Sequence, residues 1–324
     1  MLSHRLSALI AALIVALPGF LAGQEIIRFG YIGPLSGDSA TYGADERHAI
    51  ELAVSEINSR NYIPGRKLEI VFEDTRCNPR EAALAAERLT GPSGVRIILG
   101  GLCSGETLAA APITQRARAI LFSTVSSHVA ISNAGDMVFR SVPSDARSAE
   151  ALAVAMAQGG AERPAIISEN TDFSLSLREG FIQSTPSPSR RIVSDESYNS
   201  DENDFRSLLL RTRSRRPDSL VLIPQSGLKA GLLMRQLREL GWDVPVFSFY
   251  MFAYPDAQAA AGGIENLEGI TFVDLPEVRT KRSKRFIRRF EASYGKAQST
   301  IYAALRYDSV YLLADAIRSV GAET

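Results

Sequence analysis

The chain has 324 residues, of which 45% are hydrophobic and 22% charged, and its 36 basic side chains balance 36 acidic ones. This is the make-up of an ordinary folded protein, and a formal charge of zero gives no electrostatic reason to bind nucleic acid or an acidic membrane surface. Two cysteines and three histidines, with no HExxH, CxxC or clustered His/Cys spacing, give no support for a metal site.

Residues 1–23 have the pattern of a cleavable secretory signal. His4 and Arg5 precede an apolar run over 8–17, followed by Pro18 and the small-residue end Leu21-Ala22-Gly23. The run is shorter than the roughly 20 residues of a spanning helix. Gln24 stands where a lipoprotein signal would carry Cys, so the expectation is an exported, unlipidated protein.

From residue 26 onward strand and helix patterns alternate. Strands are expected over 26–32, 67–73, 95–99, 119–123 and 137–142, and helices over 42–59, 79–89 and 108–117, with Pro112 close enough to the last helix's start to be tolerated. A helix over 147–158 ends at Gly159-Gly160, after which the pattern restarts. Strands follow over 165–168, 192–198, 219–223 and 246–250, with helices over 174–183, 204–215 and 228–240. Residues 184–189 read as a surface loop. A last strand over 267–273 reads as a crossing back to the first unit, and helices over 280–294 and 301–320 close the chain. This alternation predicts an α/β protein with doubly wound parallel sheets and right-handed crossovers, and the length fits two lobes.

One corner stands out. After the apolar run 95–99 comes Gly100-Gly101-Leu102-Cys103-Ser104-Gly105-Glu106-Thr107 and then a helix. Such a corner points backbone N–H groups outward at the carboxyl end of a sheet, where the helix dipole favours an anion. Ser104 adds a hydroxyl, which makes a candidate carboxylate clamp; the plainer reading is a Ser/Gly-rich turn. Cys77 and Cys103 each follow a strand, at the same edge of neighbouring strands, and in an exported chain they are expected to pair. On the chain-entropy model such a bridge stabilises by roughly 3–4 kcal/mol.

Other chemistry is not supported. Ser104 lacks the flanking glycines of a nucleophile elbow, because Leu102 and Glu106 hold those places. His48 falls within a helix and His128 in a Ser-rich loop with no acid partner near in sequence. Gly30, Gly33 and Gly37 lack dinucleotide spacing, and no GxxxxGK[ST] occurs. The basic run Arg279 to Arg289 is interrupted by Phe286 and Ile287 and followed by Phe290 and Tyr294 at helical spacing. It reads as a solvated helix face, with docking on a partner protein as the alternative.

Several segments together resemble the leucine/isoleucine/valine-binding family of type I periplasmic solute-binding proteins. They are Gly33-Pro34-Leu35-Ser36-Gly37 with Tyr42-Gly43, Ala53-Val54-Ser55-Glu56-Ile57-Asn58, Glu73-Asp74 leading to Cys77 and Pro79, and Leu102-Cys103-Ser104. Asp204-Phe205, Pro217-Asp218, Arg235-Gln236 with Gly241, and the stretch Tyr307-Asp308-Ser309-Val310-Tyr311 continue the likeness. The resemblance implies two Rossmann-like lobes joined by a hinge, with lobe 1 over 24–145 and 273–324 and lobe 2 over 146–272. It also implies a periplasmic, monomeric protein without cofactor or metal, which closes over an amino acid or other small carboxylate and serves an inner-membrane ABC transporter permease. The family runs on for several tens of residues after the helix ending near Val320, so either the chain is truncated or its second lobe lacks the usual final elements.

Carried over position by position, the resemblance places Ser104 and the loop Val125-Ser126-Ser127 at the ligand's carboxylate, Val125 through its backbone and Ser127 through backbone and hydroxyl. Tyr42 corresponds to an aromatic wall, or else packs at a helix start. Phe173 stands where an aromatic caps the ligand, and Ser226 near another expected aromatic; plain core is the alternative for Phe173. Tyr250 stands where amino-acid binders carry an acid for the ammonium group, or else makes an ordinary contact between lobes. The ligand therefore either lacks an α-amino group or finds its partner elsewhere, at Asp172 or Asp256. A ligand sensor for a membrane receptor is the first rival function, and an enzyme the second.

Overall fold

The computed structural model describes residues 24–185, 191–276 and 279–320. The signal segment expected over 1–23, most of the loop expected over 184–189 and the chain end at 321–324 lie outside the described residues.

The first sheet contains β1 (Glu25–Gly33), β2 (Arg66–Asp74), β3 (Ile97–Leu99), β4 (Ile120–Ser123) and β5 (Val138–Arg140), in the order β2-β1-β3-β4-β5. The second contains β6 (Pro164–Glu169), β7 (Ser194–Tyr198), β8 (Ser219–Ile223), β9 (Val246–Phe249) and β10 (Ile270–Val273), in the order β10-β9-β8-β6-β7. Every pairing is parallel. The expected pair of doubly wound α/β units is therefore present. Helices on both faces remove the central strands from water, which is why β6 and β8 are buried throughout and apolar over runs such as Ala165-Ile166-Ile167 and Leu220-Val221-Leu222-Ile223.

Helices α1 (Ala40–Ser59), α2 (Pro79–Thr90) and α3 (Ser104–Arg116) connect strands of the first sheet. Helices α4 (Asp145–Gln158), α5 (Asp172–Gln183), α6 (Arg206–Ser214), α7 (Gly227–Glu239) and the short α8 (Pro255–Ala261) belong to the second. The chain then returns: Phe286 and Phe290 of α9 (Lys281–Tyr294), and Tyr307 and Val310 of α10 (Thr300–Val320), share one core with Phe29 and Tyr31 of β1 and Ile50 of α1. The aromatic stripe of α9 faces inward, so its basic residues form the outer face. Arg282 and Arg289 pair there with Asp308 and Glu56.

Three expectations need correction. Helix α3 begins at Ser104, four residues earlier than expected, because Glu106 Oε2 accepts the N–H of the N-cap residue Cys103 at 2.9 Å. Pro112 therefore lies inside the helix, at the cost of one intrahelical hydrogen bond. The strand expected over 267–273 is shorter. As β10 it pairs with β9 in the second sheet, so the crossing to the first unit follows it. Helix α8 was not anticipated, although Pro255 at its first turn and the alanines after it are a helix-start pattern.

Strand order reverses between β1 and β3 in the first sheet and between β6 and β8 in the second. Crevices at such reversals, outside the carboxyl ends of the strands, are where open α/β sheets bind ligands.

Candidate functional site

Loops from both reversal points line one cavity. Tyr42 and Asp45 of α1, Ser104 of α3 and Val125 come from the first unit; Phe173, Gln225 and Tyr250 come from the second. Its volume is about 30 Å³, space for only a few waters at roughly 10–15 Å³ each. A larger, polar recess of about 410 Å³ lies next to it, with Asp38 and Arg76 on one side and Asn170 and Asp172 on the other, and shares Ser39 and Gln225 with the inner cavity. A separate groove of about 930 Å³ runs between α9 and α10 on the outside of the first unit, away from the strand ends.

The 100–104 corner is held from below. Ser123, the last residue of β4, donates its hydroxyl to Gly101 O at 2.8 Å and accepts the N–H groups of Val125 and Ser126. Ser126 Oγ sits within 3.2 Å of the carbonyls of Gly101, Leu102 and Cys103 and 2.7 Å from Thr107 Oγ1. Cys77 and Cys103 are disulfide-bonded, with Cα atoms 5.5 Å apart, and tie the same corner to the chain that follows β2. Gly100 is needed here: its φ of +137° favours glycine, and a Cβ would strike the carbonyl of Ile32. These contacts set Ser104 at the helix N-terminus, where its Oγ accepts the N–H of His128 at 3.3 Å and keeps its own proton to donate.

Tyr42, Ser104, Val125, Phe173 and Tyr250 all line the inner cavity. The N–H of Val125, expected to face the ligand, instead donates to Ser123 Oγ at 3.4 Å. Ser126 is buried beneath the loop and its hydroxyl is taken by the contacts above. Ser127 lies beside the cavity: its carbonyl accepts from the N–H of Asp145 and from Arg140, and its buried Oγ faces Asp145 and Tyr250 but makes no well-formed hydrogen bond among the described residues. Ser226 caps α7 by accepting the N–H of Lys229 and faces the outer recess.

The walls are more aromatic than the sequence reading foresaw. Tyr254 and Tyr302 join Tyr42, Phe173 and Tyr250, with successive ring centroids 5.2–6.4 Å apart. Tyr254 follows Tyr250 by four residues, a spacing that could have signalled a shared face; nothing local marked Tyr302.

The two units are locked together across the cleft. Tyr42 Oη lies 2.7 and 2.9 Å from the two carboxylate oxygens of Asp256 at the start of α8, and accepts the N–H of Gly227 at 3.1 Å. Lys229 Nζ approaches Asp38 at 3.6 Å, and the N–H of Val129 donates to Ser176 at 3.4 Å. Tyr42 and Val125 belong to the same continuous core cluster as Phe173 and Tyr250. The structure is a closed one.

Four acids surround this centre. Glu46 is buried and saturated: Oε1 takes Arg306 at 3.0 and 2.6 Å and Oε2 takes Tyr31 Oη at 2.8 Å. Asp45 presents Oδ2 to the N–H groups of Gln298 and Ser299 at 2.6 and 3.4 Å, and burial pushes its pKa up to about 6. Burial also raises Asp256, which Tyr42 opposes, and Asp145, which the Ser127 and Ser176 side chains oppose although its Oδ2 makes no well-formed hydrogen bond among the described residues. Asp172, one candidate for a missing ammonium partner, instead lies against Gly105 at the outer recess, and Asp256, the other, is engaged by Tyr42.

Residues 26–324 match a protein family described as periplasmic binding protein. The leucine-, isoleucine-, valine-, threonine-, and alanine-binding protein of Pseudomonas aeruginosa is 22% identical over 98% of this chain and 85% of its own length. The Leu/Ile/Val-binding protein of Escherichia coli is 25% identical over 72% of this chain, and the match spans 64% of that protein. Among solved structures, the branched-chain amino acid transporter substrate binding protein LivJ from Streptococcus pneumoniae, in complex with isoleucine, superposes with a TM-score of 0.80 at 25% identity. That match covers 93% of this chain and 85% of the other.

Proposed function

The chain belongs to the periplasmic binding protein family, and on that premise we propose that it captures an amino acid or related small carboxylate between two closing lobes and hands it to an ABC uptake transporter. The observation that carries this reading is an aromatic cavity built from both strand-order reversals, with Ser104 at the N-terminus of α3 on its wall. A carboxylate there meets a hydroxyl that still has a proton to give, N–H groups without intrahelical partners, and the positive end of a helix.

The inner cavity, about 30 Å³, is too small for an amino acid, so in this reading the lobes part to admit the ligand. We take lobe 1 as residues 24–145 and 274–324 and lobe 2 as 146–273; the expected boundary at 272–273 moves by one residue because Val273 pairs with Phe249 in the second sheet. In this reading the protein works in the periplasm as a monomer after removal of residues 1–23, without catalysis, and its partner is the transporter's permease in the inner membrane.

A thermal-shift screen of amino acids, aliphatic acids and aromatic acids tests the proposal. A ligand at 100 times its Kd adds about 2.7 kcal/mol of stability, which raises the unfolding temperature by several degrees. No shift with any carboxylate would remove the reading.

A further inference from the structure

We propose that Asp45 is the specificity-determining residue that accepts the ligand's ammonium group, so that the site selects α-amino acids over the same acids without the amino group. The inference rests on the carboxylate-capture reading and narrows it.

A buried ammonium without a partner is strongly disfavoured, and Tyr250 brings no charge to the position where an acid was expected. The acids near the cavity differ in what they have left to offer. Glu46 is neutralised by Arg306 and holds Tyr31. Asp256 is held by Tyr42 and by the N–H of Ala257. Asp145, Asp172 and Asp274 are not on the cavity wall, although the charge of Asp274 reaches Tyr250 and Tyr254. Asp45 is on that wall, one helical turn beyond Tyr42 on α1, and so on the same helix face.

Its two oxygens are used unequally. Oδ2 accepts two backbone N–H groups from the segment that leads into α10, whereas Oδ1 has no hydrogen-bond partner among the described residues. The carboxylate is thus oriented by the fold with one oxygen left over. Burial raises its pKa, and the neighbouring Glu46 adds to the rise, which means that a cation placed beside it would relieve an existing cost. Ser104 and Asp45 line the same small enclosure, and an α-amino acid is the ligand in which carboxylate and ammonium are separated by a single carbon. The surrounding tyrosine rings add cation–π attraction for the same group.

Calorimetric titration decides the matter with L-leucine and L-phenylalanine, the other standard amino acids where neither binds, and the deaminated counterparts 4-methylpentanoate and 3-phenylpropanoate. Wild-type protein should bind an amino acid at least about 10-fold more tightly than its deaminated counterpart. Asp45→Asn keeps the shape and the two N–H contacts. It should weaken the amino acid by about 10-fold or more, leave the deaminated acid within about threefold of wild type, and erase the preference.

If wild-type protein binds the deaminated acid equally well or better, the proposal fails while carboxylate capture stands, and this arm needs no variant. If Asp45→Asn binds and retains the preference, the acceptor is elsewhere and the proposal fails. If neither amino acids nor deaminated acids bind the wild type, both readings fail together.

Discussion

Replacing Tyr42 with Phe removes one oxygen and keeps the ring that faces Tyr254. That oxygen lies 2.7 Å from one oxygen of Asp256 and 3.1 Å from the amide of Gly227, and both partners belong to the other lobe. A hydrogen bond to a charged acceptor contributes about 1.5–3 kcal/mol, and here the contribution exists only when the lobes are closed. If the unliganded protein is mostly open, ligand binding must supply the closing free energy, so the whole loss appears in affinity. Tyr42→Phe should therefore weaken every ligand by roughly 10- to 150-fold, whatever its side chain, with the larger part in a faster off-rate. Calorimetry with two chemically different ligands measures this, and small-angle scattering should show the variant to be more open at subsaturating ligand. An affinity within twofold of wild type for both ligands would refute the claim that this contact holds the closed form.

Arg306 and Glu46 form an ion pair with both side chains essentially out of solvent. Arg306→Met leaves the Glu46 carboxylate buried beside Tyr31 and should cost about 3–5 kcal/mol, read as a fall in denaturant midpoint; a fall of less than about 1 kcal/mol would contradict the assignment. Glu106 is fully buried and burial pushes its pKa up to about 7, above the usual carboxylate range. The folded state therefore holds a proton that the unfolded state has released, and stability should rise as pH falls from 8 to 5, by roughly 2.5 kcal/mol from this group. Glu106→Gln should flatten that part of the profile, and an unchanged slope would place the titration elsewhere. The Cys77–Cys103 bridge closes a loop with a sequence separation of 26, so its reduction should cost about 3.5 kcal/mol on the chain-entropy model. Exported protein with two reactive thiols under denaturing, non-reducing conditions would show that the bridge does not form.

The fold was legible because its signals are local. Runs such as Ser219-Leu220-Val221-Leu222-Ile223, punctuated by glycine, proline and amphipathic stretches, announce parallel strands and their helices without knowledge of what packs on them. The start of α3 was misjudged because its cap is a cysteine whose N–H is taken by Glu106, a pattern outside the usual Ser/Thr capping box. The placement of β10 depends on its neighbour β9, which no property of residues 267–273 reveals. At the site, Ser104 could be singled out because it sits at a strand-to-helix corner, whereas Tyr42 was marked only by the family resemblance. Asp45, Tyr254 and Tyr302 were not singled out because their place on one cavity wall arises only when two units far apart in sequence meet. Ser126 holds the corner that carries Ser104: its hydroxyl reaches the carbonyls of Gly101, Leu102 and Cys103, contacts that its place in the loop did not announce.

The central claim is that a carboxylate docks at Ser104, and titration of Ser104→Ala against a ligand and its uncharged carboxamide tests it most directly. The ligand is the compound that gives the largest thermal shift with the wild-type protein. Wild type should bind the carboxylate and discriminate against the carboxamide, and Ser104→Ala should weaken the carboxylate by roughly 10- to 150-fold while affecting the carboxamide much less. Equal affinity of wild type for the two compounds, or an unchanged affinity of the variant for the carboxylate, would contradict the clamp and with it the proposed mode of capture.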